Sequence, residues 1–291
     1  MMTTTTTTQN LDTTVLYARQ LIAASLAMAL ADPYRLRTIP DGPWLNPETL
    51  NEAWDILIEN VGAVTPAQLG LGEIVPHKIN AQSLTQYLSL PYEQREPAYR
   101  AVFGMLISNQ CPPAETEYAH WKDPTYRAHQ LADIAGFQKA FGLEPAANEG
   151  AERPDHISLE LELIAFLLQR LQSAQQNPDD PEEIEATEVT THALTNFIND
   201  HIAWWVPTFG KRVEQQIDAL IENQTTNSQL TSDLKIFRSV SSVLRAWVAC
   251  ERIFNKVEPC RRIIAPEVDL PPVCEEDDGC SDCAVPQCAA P

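Results

Sequence analysis

Residues 157–171 read ISLELELIAFLLQRL, and this segment is the clearest guide to the fold class. Five apolar residues recur in it at intervals of three or four positions: Ile157, Leu161, Ile164, Leu168 and Leu171. This spacing places them along one face of an α-helix. No segment of the chain shows the alternation that is typical of a half-buried strand. The sequence therefore predicts an all-α protein.

Similar spacing predicts helices on both sides of this segment, and we expect a single bundle of roughly nine or ten helices. The predicted helices cover residues 13–31, 47–62, 82–88, 92–107, 125–141, 157–171, 189–206, 211–222 and 230–257. Asp155 is expected to cap the helix at 157, and Pro207 to end the helix before it. Residues 177–185 carry two prolines and five acids and are expected to be a solvated loop.

Three regions follow from the composition along the chain. Residues 1–10 contain a threonine run and are predicted to be a disordered arm. Residues 11–262 are predicted to form the all-helical domain. Residues 263–291 are rich in proline, acids and cysteine, with little apolar material, and are expected to be a flexible tail.

The charge of the chain is strongly and unevenly acidic. Among 291 residues, 20 Lys and Arg stand against 40 Asp and Glu, which gives a formal net charge of −20. Residues 144–200 contain 13 acids and 2 bases, and residues 263–291 contain 7 acids and no bases. This balance disfavours binding to nucleic acid or to anionic lipid, since both require clustered Lys and Arg. It favours a basic partner.

The sequence predicts a cytoplasmic protein without a membrane span. No run reaches the roughly 20 apolar residues that cross a bilayer. Residues 21–30 follow Arg19 and imitate the apolar part of a secretory signal, but their apolar spacing favours an ordinary first helix. Three of the seven cysteines, Cys111, Cys250 and Cys260, lie far apart, which suits a reduced compartment.

Signatures of catalysis are absent from the sequence. It contains no GxGxxG, no P-loop, no GxSxG and no HExxH. Four tail cysteines are spaced C-x5-C-x2-C-x4-C, and four thiolates could hold a structural zinc ion. The alternative is a flexible tail with unpaired thiols. These cysteines are Cys274, Cys280, Cys283 and Cys288.

Two polar motifs remain to be explained. Residues 111–118, CPPAETEY, combine a rigid Pro-Pro turn with two carboxylates and a tyrosine, a plausible grip for an arginine-containing peptide. The alternative is a stiff connection that starts a helix. Asp-His-Ile occurs at residues 155–157 and again at 200–202. Either these groups bind a partner, or they cap a helix and satisfy buried backbone groups.

Four segments together resemble a known family. They are CPPAETEY at 111–118, LADIAGF with AFGL at 131–143, ERPDHI at 152–157, and FINDHIAWWVPTF at 197–209. In the same order, they are similar to segments of the TorD/DmsD/NarJ redox-enzyme maturation chaperones, and most similar to those that serve type II DMSO-reductase-family molybdoenzymes. Ala114 and Gln138 stand where that family usually has tyrosine.

The resemblance implies an all-helical cytosolic chaperone without catalytic turnover. It implies that the chain binds the apo catalytic subunit of a molybdoenzyme and its twin-arginine signal peptide. It would hold this client until molybdopterin guanine dinucleotide has been inserted, and no cofactor is expected to bind stably to the chaperone itself. Neither nucleic-acid binding nor membrane insertion is expected. The protein would be a monomer or a helix-swapped dimer.

We expect the client-binding residues to lie within the four segments. The acids would supply negative charge near the client's arginines, and the aromatic residues and histidines would shape the adjoining groove. The candidates are Glu115, Glu117, Tyr118, Asp133, Glu152, Asp155, His156, Glu160, Asp200, His201, Trp204 and Trp205. Two alternatives stay open: a helical adaptor for another client, and a metal-binding or redox protein that acts through the tail cysteines.

Overall fold

The computed structural model describes residues 13–104, 110–119, 124–143, 153–177, 179–223 and 226–261. Over these residues the chain forms nine α-helices and no strand, which confirms the all-α prediction. The helices are α1 (Thr13–Leu30), α2 (Pro47–Val61), α3 (Gln82–Leu88), α4 (Tyr92–Phe103), α5 (Pro124–Ala140), α6 (Ile157–Ala174), α7 (Pro181–Phe197), α8 (Val206–Glu222) and α9 (Ser228–Phe254).

Helix α1 lies at the centre of the core. It packs along α6 and also contacts α2, α3 and α9. By length and composition α1 could cross a membrane, but 61% of this apolar stretch is buried within the fold. Leu16, Ile22, Leu26 and Leu30, the residues whose spacing predicted a core helix, are all fully buried. Within this fold α1 is therefore a core helix.

The start of α7 differs from the sequence prediction. The helix begins at Pro181, whereas residues 177–185 had been predicted to be loop. Asp180 is the N-cap, and its side chain accepts a hydrogen bond from the backbone N–H of Glu182. Pro181 occupies the first helical position, and the acids of the first turn interact favourably with the helix dipole. The two features that suggested a loop are thus helix-starting signals.

The junction between α7 and α8 also differs from the prediction. After Phe197 the chain widens into a π-helix, Ile198–Ile202, closed by a hydrogen bond of 2.9 Å from the N–H of Ala203 to the carbonyl of Ile198. Pro207 then lies in the first turn of α8, where its missing N–H costs nothing, and does not end the preceding helix. His201 is carried by the π-helix.

Buried ion pairs fasten α9 to the rest of the core. Arg19 on α1 forms a two-pronged contact with Glu251 on α9, with Nη2–Oε2 at 2.7 Å. Arg252, the next residue of α9, holds Glu73 with Nε–Oε1 at 2.9 Å. All four side chains are almost completely buried. Because a buried charge is costly without its partner, these pairs specify how α9 sits.

Replacing Arg19 by Met is expected to lower the free energy of unfolding by about 3–5 kcal/mol, because Glu251 would be left as a buried charge without a partner. Urea denaturation measures this. The matched control is Arg238→Met, since the Arg238–Asp218 pair is more than a third exposed, and a change of no more than about 1 kcal/mol is expected there. Equal losses in both variants would contradict the argument.

Candidate functional site

The Pro-Pro loop is joined to the start of α6 by a short backbone ladder. The N–H of Glu115 donates to the carbonyl of Asp155 at 2.9 Å, and the N–H of Ile157 donates to the carbonyl of Pro113 at 2.9 Å. Ala114 and His156 face each other as an isolated antiparallel bridge. The ladder brings two of the four motif segments together, although Glu115 and Asp155 lie 40 positions apart in the sequence.

Asp155 ties the loop to α6 by its side chain as well. Its Oδ2 accepts hydrogen bonds from the backbone N–H and the hydroxyl of Thr116, at 3.1 and 2.8 Å. Arg153 donates to both of its oxygens, at 2.9 and 2.8 Å. The prediction that Asp155 caps α6 is wrong. His156 is the N-cap, and its Nδ1 accepts from the N–H of Ser158 at 3.2 Å, which leaves the Asp155 carboxylate for the loop.

A buried carboxylate and a buried imidazole form the centre of the site. Glu115 Oε2 lies 3.0 Å from His201 Nδ1, and Glu115 Oε1 accepts a hydrogen bond of 3.0 Å from Trp204 Nε1. On the other side of the ring, His201 Nε2 lies 3.1 Å from Asp133 Oδ2. Because both ring nitrogens face carboxylate oxygens, the ring is doubly protonated and donates in both directions.

The pKa values follow from these contacts. Burial by itself lowers the pKa of His201, but the hydrogen bonds and charges of Asp133 and Glu115 outweigh it and raise the pKa to about 9. The hydrogen bond from His201 lowers the pKa of Asp133. Burial raises the pKa of Glu115, against the lowering effect of His201 and Trp204. At neutral pH the three groups thus form a carboxylate–imidazolium–carboxylate chain that runs from the core to the surface.

Glu160 is a second buried carboxyl group beside this chain. It is completely buried, and neither of its oxygens makes a well-formed hydrogen bond. Burial raises its pKa well above the usual range, and the negative charges of Glu115 and Asp155 raise it further. This shift favours the protonated, uncharged form of Glu160 over the carboxylate.

Two carboxylates reach the surface at the rim of the site. Asp133 is 59% exposed although it holds His201. Glu117 is one-fifth exposed, and its Oε1 accepts from Arg153 at 2.9 Å and from Arg127 at 3.1 Å. These two side chains are the rim carboxylates, and a partner could reach them in this conformation. They are suited to guanidinium groups, as the two internal arginines on Glu117 demonstrate.

The aromatic candidates are packed inside the fold. Tyr118 lies against Trp205 with ring centroids 5.1 Å apart, and the guanidinium of Arg212 lies 5.1 Å from the centre of the Tyr118 ring. Trp205 Nε1 donates to the carbonyl of His201 at 2.5 Å. Tyr118, Trp204 and Trp205 are buried, and here they stabilise the π-helix and the loop. Their role in shaping a client groove stays a prediction.

The structure brings most of the predicted site residues together. Asp200 is half-buried and is contacted by the side-chain amide of Asn199 at 2.6 Å. Glu152 and the tail cysteines Cys274, Cys280, Cys283 and Cys288 lie outside the described residues. The clustered residues are Glu115, Glu117, Tyr118, Asp133, Asp155, His156, Glu160, His201, Trp204 and Trp205.

Sequence reasoning missed the two arginines of the site. Arg153 could have been found, because it lies inside the ERPDHI segment two residues before Asp155. Arg127 has no motif around it, and only its position on α5 reveals its contact with Glu117. The described residues contain no group of three or more His, Cys, Asp or Glu that could hold a metal ion. The cluster is instead an electrostatic network that can present acceptors to cationic groups.

Glu160→Gln is expected to stabilise the protein, by an amount that grows as the pH rises above the unfolded pKa of Glu160. Folding raises the pKa of Glu160, so the wild type must take up a proton to fold once the pH exceeds the unfolded value of about 4.3, and it loses stability as the pH rises. Glutamine has no such dependence. Urea unfolding at several pH values measures the effect. A destabilised Glu160→Gln protein at pH 8 would show that Glu160 is charged.

In contrast, Glu115→Gln should lower the free energy of unfolding by about 3 kcal/mol at pH 7, because it leaves the His201 imidazolium with less compensation.

The ring of His201 is expected to titrate with a midpoint near pH 9, and NMR of the imidazole carbon-bound protons measures it. Because folding raises this pKa from 6.5, the stability it contributes is complete below about pH 6.5 and is lost as the pH rises through about 9. Asp133→Asn should lower the midpoint, since Asp133 supplies one of the two raising contacts. A midpoint below 7 in the wild type would contradict the doubly protonated ring.

One comparison with known proteins found a match to this chain. Residues 77–211 match the family model described as nitrate reductase delta subunit. The matched range contains the Pro-Pro loop, the start of α6 and the π-helix, and therefore the whole buried network. No curated protein and no solved structure matches the chain.

Proposed function

We propose that this chain serves a molybdoenzyme exported with a twin-arginine signal peptide. The premise is that residues 77–211 form a domain of the nitrate reductase delta subunit family, the NarJ/TorD chaperones. The family consists of non-catalytic, soluble cytoplasmic chaperones that mature redox enzymes, and membership implies binding of a molybdoenzyme catalytic subunit. The prediction that the protein is not an enzyme is thereby confirmed. The signal peptide and its mode of binding are the proposal.

The observation that carries the proposal is the pair of rim carboxylates above the buried network. Asp133 and Glu117 are accessible, and each is already oriented by a cationic group behind it. Arginine forms short, charge-assisted hydrogen bonds to carboxylates and can contact both oxygens with its planar fork. Two adjacent arginines in an extended peptide would present two such forks to this rim.

The buried residues support this binding indirectly. Glu115, Asp155 and His201 are removed from solvent, so their part is to hold the loop, α5 and α6 in position. Glu160 is buried too, and its raised pKa favours the uncharged form. The negative charge that a client meets comes from the rim carboxylates, with the half-buried Asp200 on the same π-helix as His201.

The acidic surroundings would speed the encounter with such a peptide. Residues 144–200 contain 13 acids and 2 bases, and they include α6 and α7. A field of one sign raises the rate at which an oppositely charged partner arrives and orients it before contact. Release would follow cofactor insertion by a shift of population, with the chaperone preferring the apo client to the holo client. In this proposal molybdopterin guanine dinucleotide stays with the client.

A peptide titration tests the proposal. The probe is a synthetic peptide with two adjacent arginines before an apolar segment, and calorimetry or fluorescence anisotropy measures its dissociation constant. Replacing both rim carboxylates, Asp133→Asn with Glu117→Gln, should weaken binding by about tenfold, since each charge-assisted contact at a partly exposed position is worth up to about 1 kcal/mol. Raising the salt concentration should weaken binding to the wild type as well.

The matched control replaces an acid of similar exposure elsewhere. Asp218→Asn removes one carboxylate from α8, with 46% of its side chain exposed, and should leave the affinity within about twofold. A peptide with lysines in place of the arginines should bind more weakly, because an ammonium group lacks the planar fork. Equal affinity of the double variant and the wild type would remove the rim carboxylates from the binding site.

A further inference from the structure

Two arginines of the chain itself occupy the rim carboxylate Glu117. Arg153 Nη1 lies 2.9 Å from Glu117 Oε1, and Arg127 Nη2 lies 3.1 Å from the same oxygen. Both arginines thus share the same oxygen of Glu117, and each competes with the other for that carboxylate.

The two arginines are not equally easy to displace. Arg153 also donates to both oxygens of the buried Asp155 and to the hydroxyl of Thr116, at 2.5 Å. Arg127 is 42% exposed, and among the described residues it forms an ion pair with Glu117. An exposed pair of this kind contributes little free energy, so Arg127 is the exchangeable partner.

The two halves of α5 contact different parts of the fold. The C-terminal half is anchored by the fully buried Ile134 and by Phe137, which packs edge-on against Phe197 at 5.3 Å. In the N-terminal half Gln130 is buried, and the partly exposed Arg127 pairs with Glu117 of the loop. Because this ion pair ties the N-terminal half to the loop, we expect its loss to loosen the first turns of α5.

From these contacts we infer that Arg127 is an internal substitute for a client arginine. In the free protein it occupies Glu117 and holds the first turns of α5 over the loop. A client guanidinium that reaches both oxygens of Glu117 displaces Arg127, and residues 124–130 loosen as it binds. The contact is autoinhibitory: it lowers the affinity for any cation at Glu117 and rejects partners that cannot replace it. This inference rests on the proposed function and adds regulation of cation binding at the same site.

A double-mutant cycle with the two-arginine peptide tests the inference. Arg127→Ala should bind the peptide about threefold more tightly than the wild type, as expected when an exposed ion pair no longer competes. In the Glu117→Gln background the same substitution should have no effect, because the shared acceptor is gone. Arg238→Ala is the matched control. It removes an arginine of similar exposure, paired with Asp218, and changes the net charge equally, so it should leave the affinity unchanged.

Hydrogen exchange provides a second measurement, which does not depend on a change in the affinity for the peptide. Backbone amides of residues 128–130, the first in α5 that can donate within the helix, should exchange faster in Arg127→Ala than in the wild type, and the peptide should produce the same increase in the wild type. Amides of α9 should be unaffected in both cases, which shows that the fold is intact.

The outcomes separate the inference from the proposed function. If no variant binds the peptide, the proposed function fails and the inference fails with it. If the wild type binds the peptide and Arg127→Ala binds equally or more weakly, the inference alone is overturned. The same holds if Arg127→Ala strengthens binding equally with and without Glu117, since this would reflect overall charge.

Discussion

The buried contact between Glu115 and His201 is the interaction on which the site depends. It joins a loop after α4 to the π-helix between α7 and α8, and through Asp133 it reaches α5. A carboxylate inside a protein is stable only when a counter-charge and hydrogen bonds replace its lost hydration. His201 and Trp204 provide both, so these segments are held in one arrangement even though they lie far apart in the chain.

The charged acids of the cluster face basic groups. Glu115 and Asp133 face His201, Asp155 faces Arg153, and the raised pKa of the buried Glu160 favours its uncharged form. The acidic interior is therefore not an acidic pocket. Its charged groups pair with one another, so the rim carboxylates are the acids that a partner can contact. The buried network fixes the positions of the rim carboxylates, and their exposure allows a partner to contact them.

Much of the fold could be predicted from the sequence because helix formation leaves a regular apolar spacing, as in α1 and α6. The predicted start of α7 was wrong because Asp180 and Pro181 act through capping geometry, although their composition suggests a loop. The repeated Asp-His-Ile motif contains both Asp155 and His201, but their burial could not be predicted from it. The raised pKa of Glu160 could not be predicted either, because it depends on neighbours distant in sequence. The contact of Arg127 with Glu117 could not be predicted for the same reason.

The π-helix has a consequence for the way this protein tolerates insertions and deletions. A wide turn accommodates one residue more than an α-helical turn would, and one residue corresponds to about 100° of rotation in a regular helix. His201 lies within this wide turn, before the turn at residues 203–205 and the start of α8 at Val206. Loss of a single residue there would preserve the helix and its hydrophobicity while turning the imidazole away from Glu115. The site is thus encoded in the length of this segment as much as in its side chains.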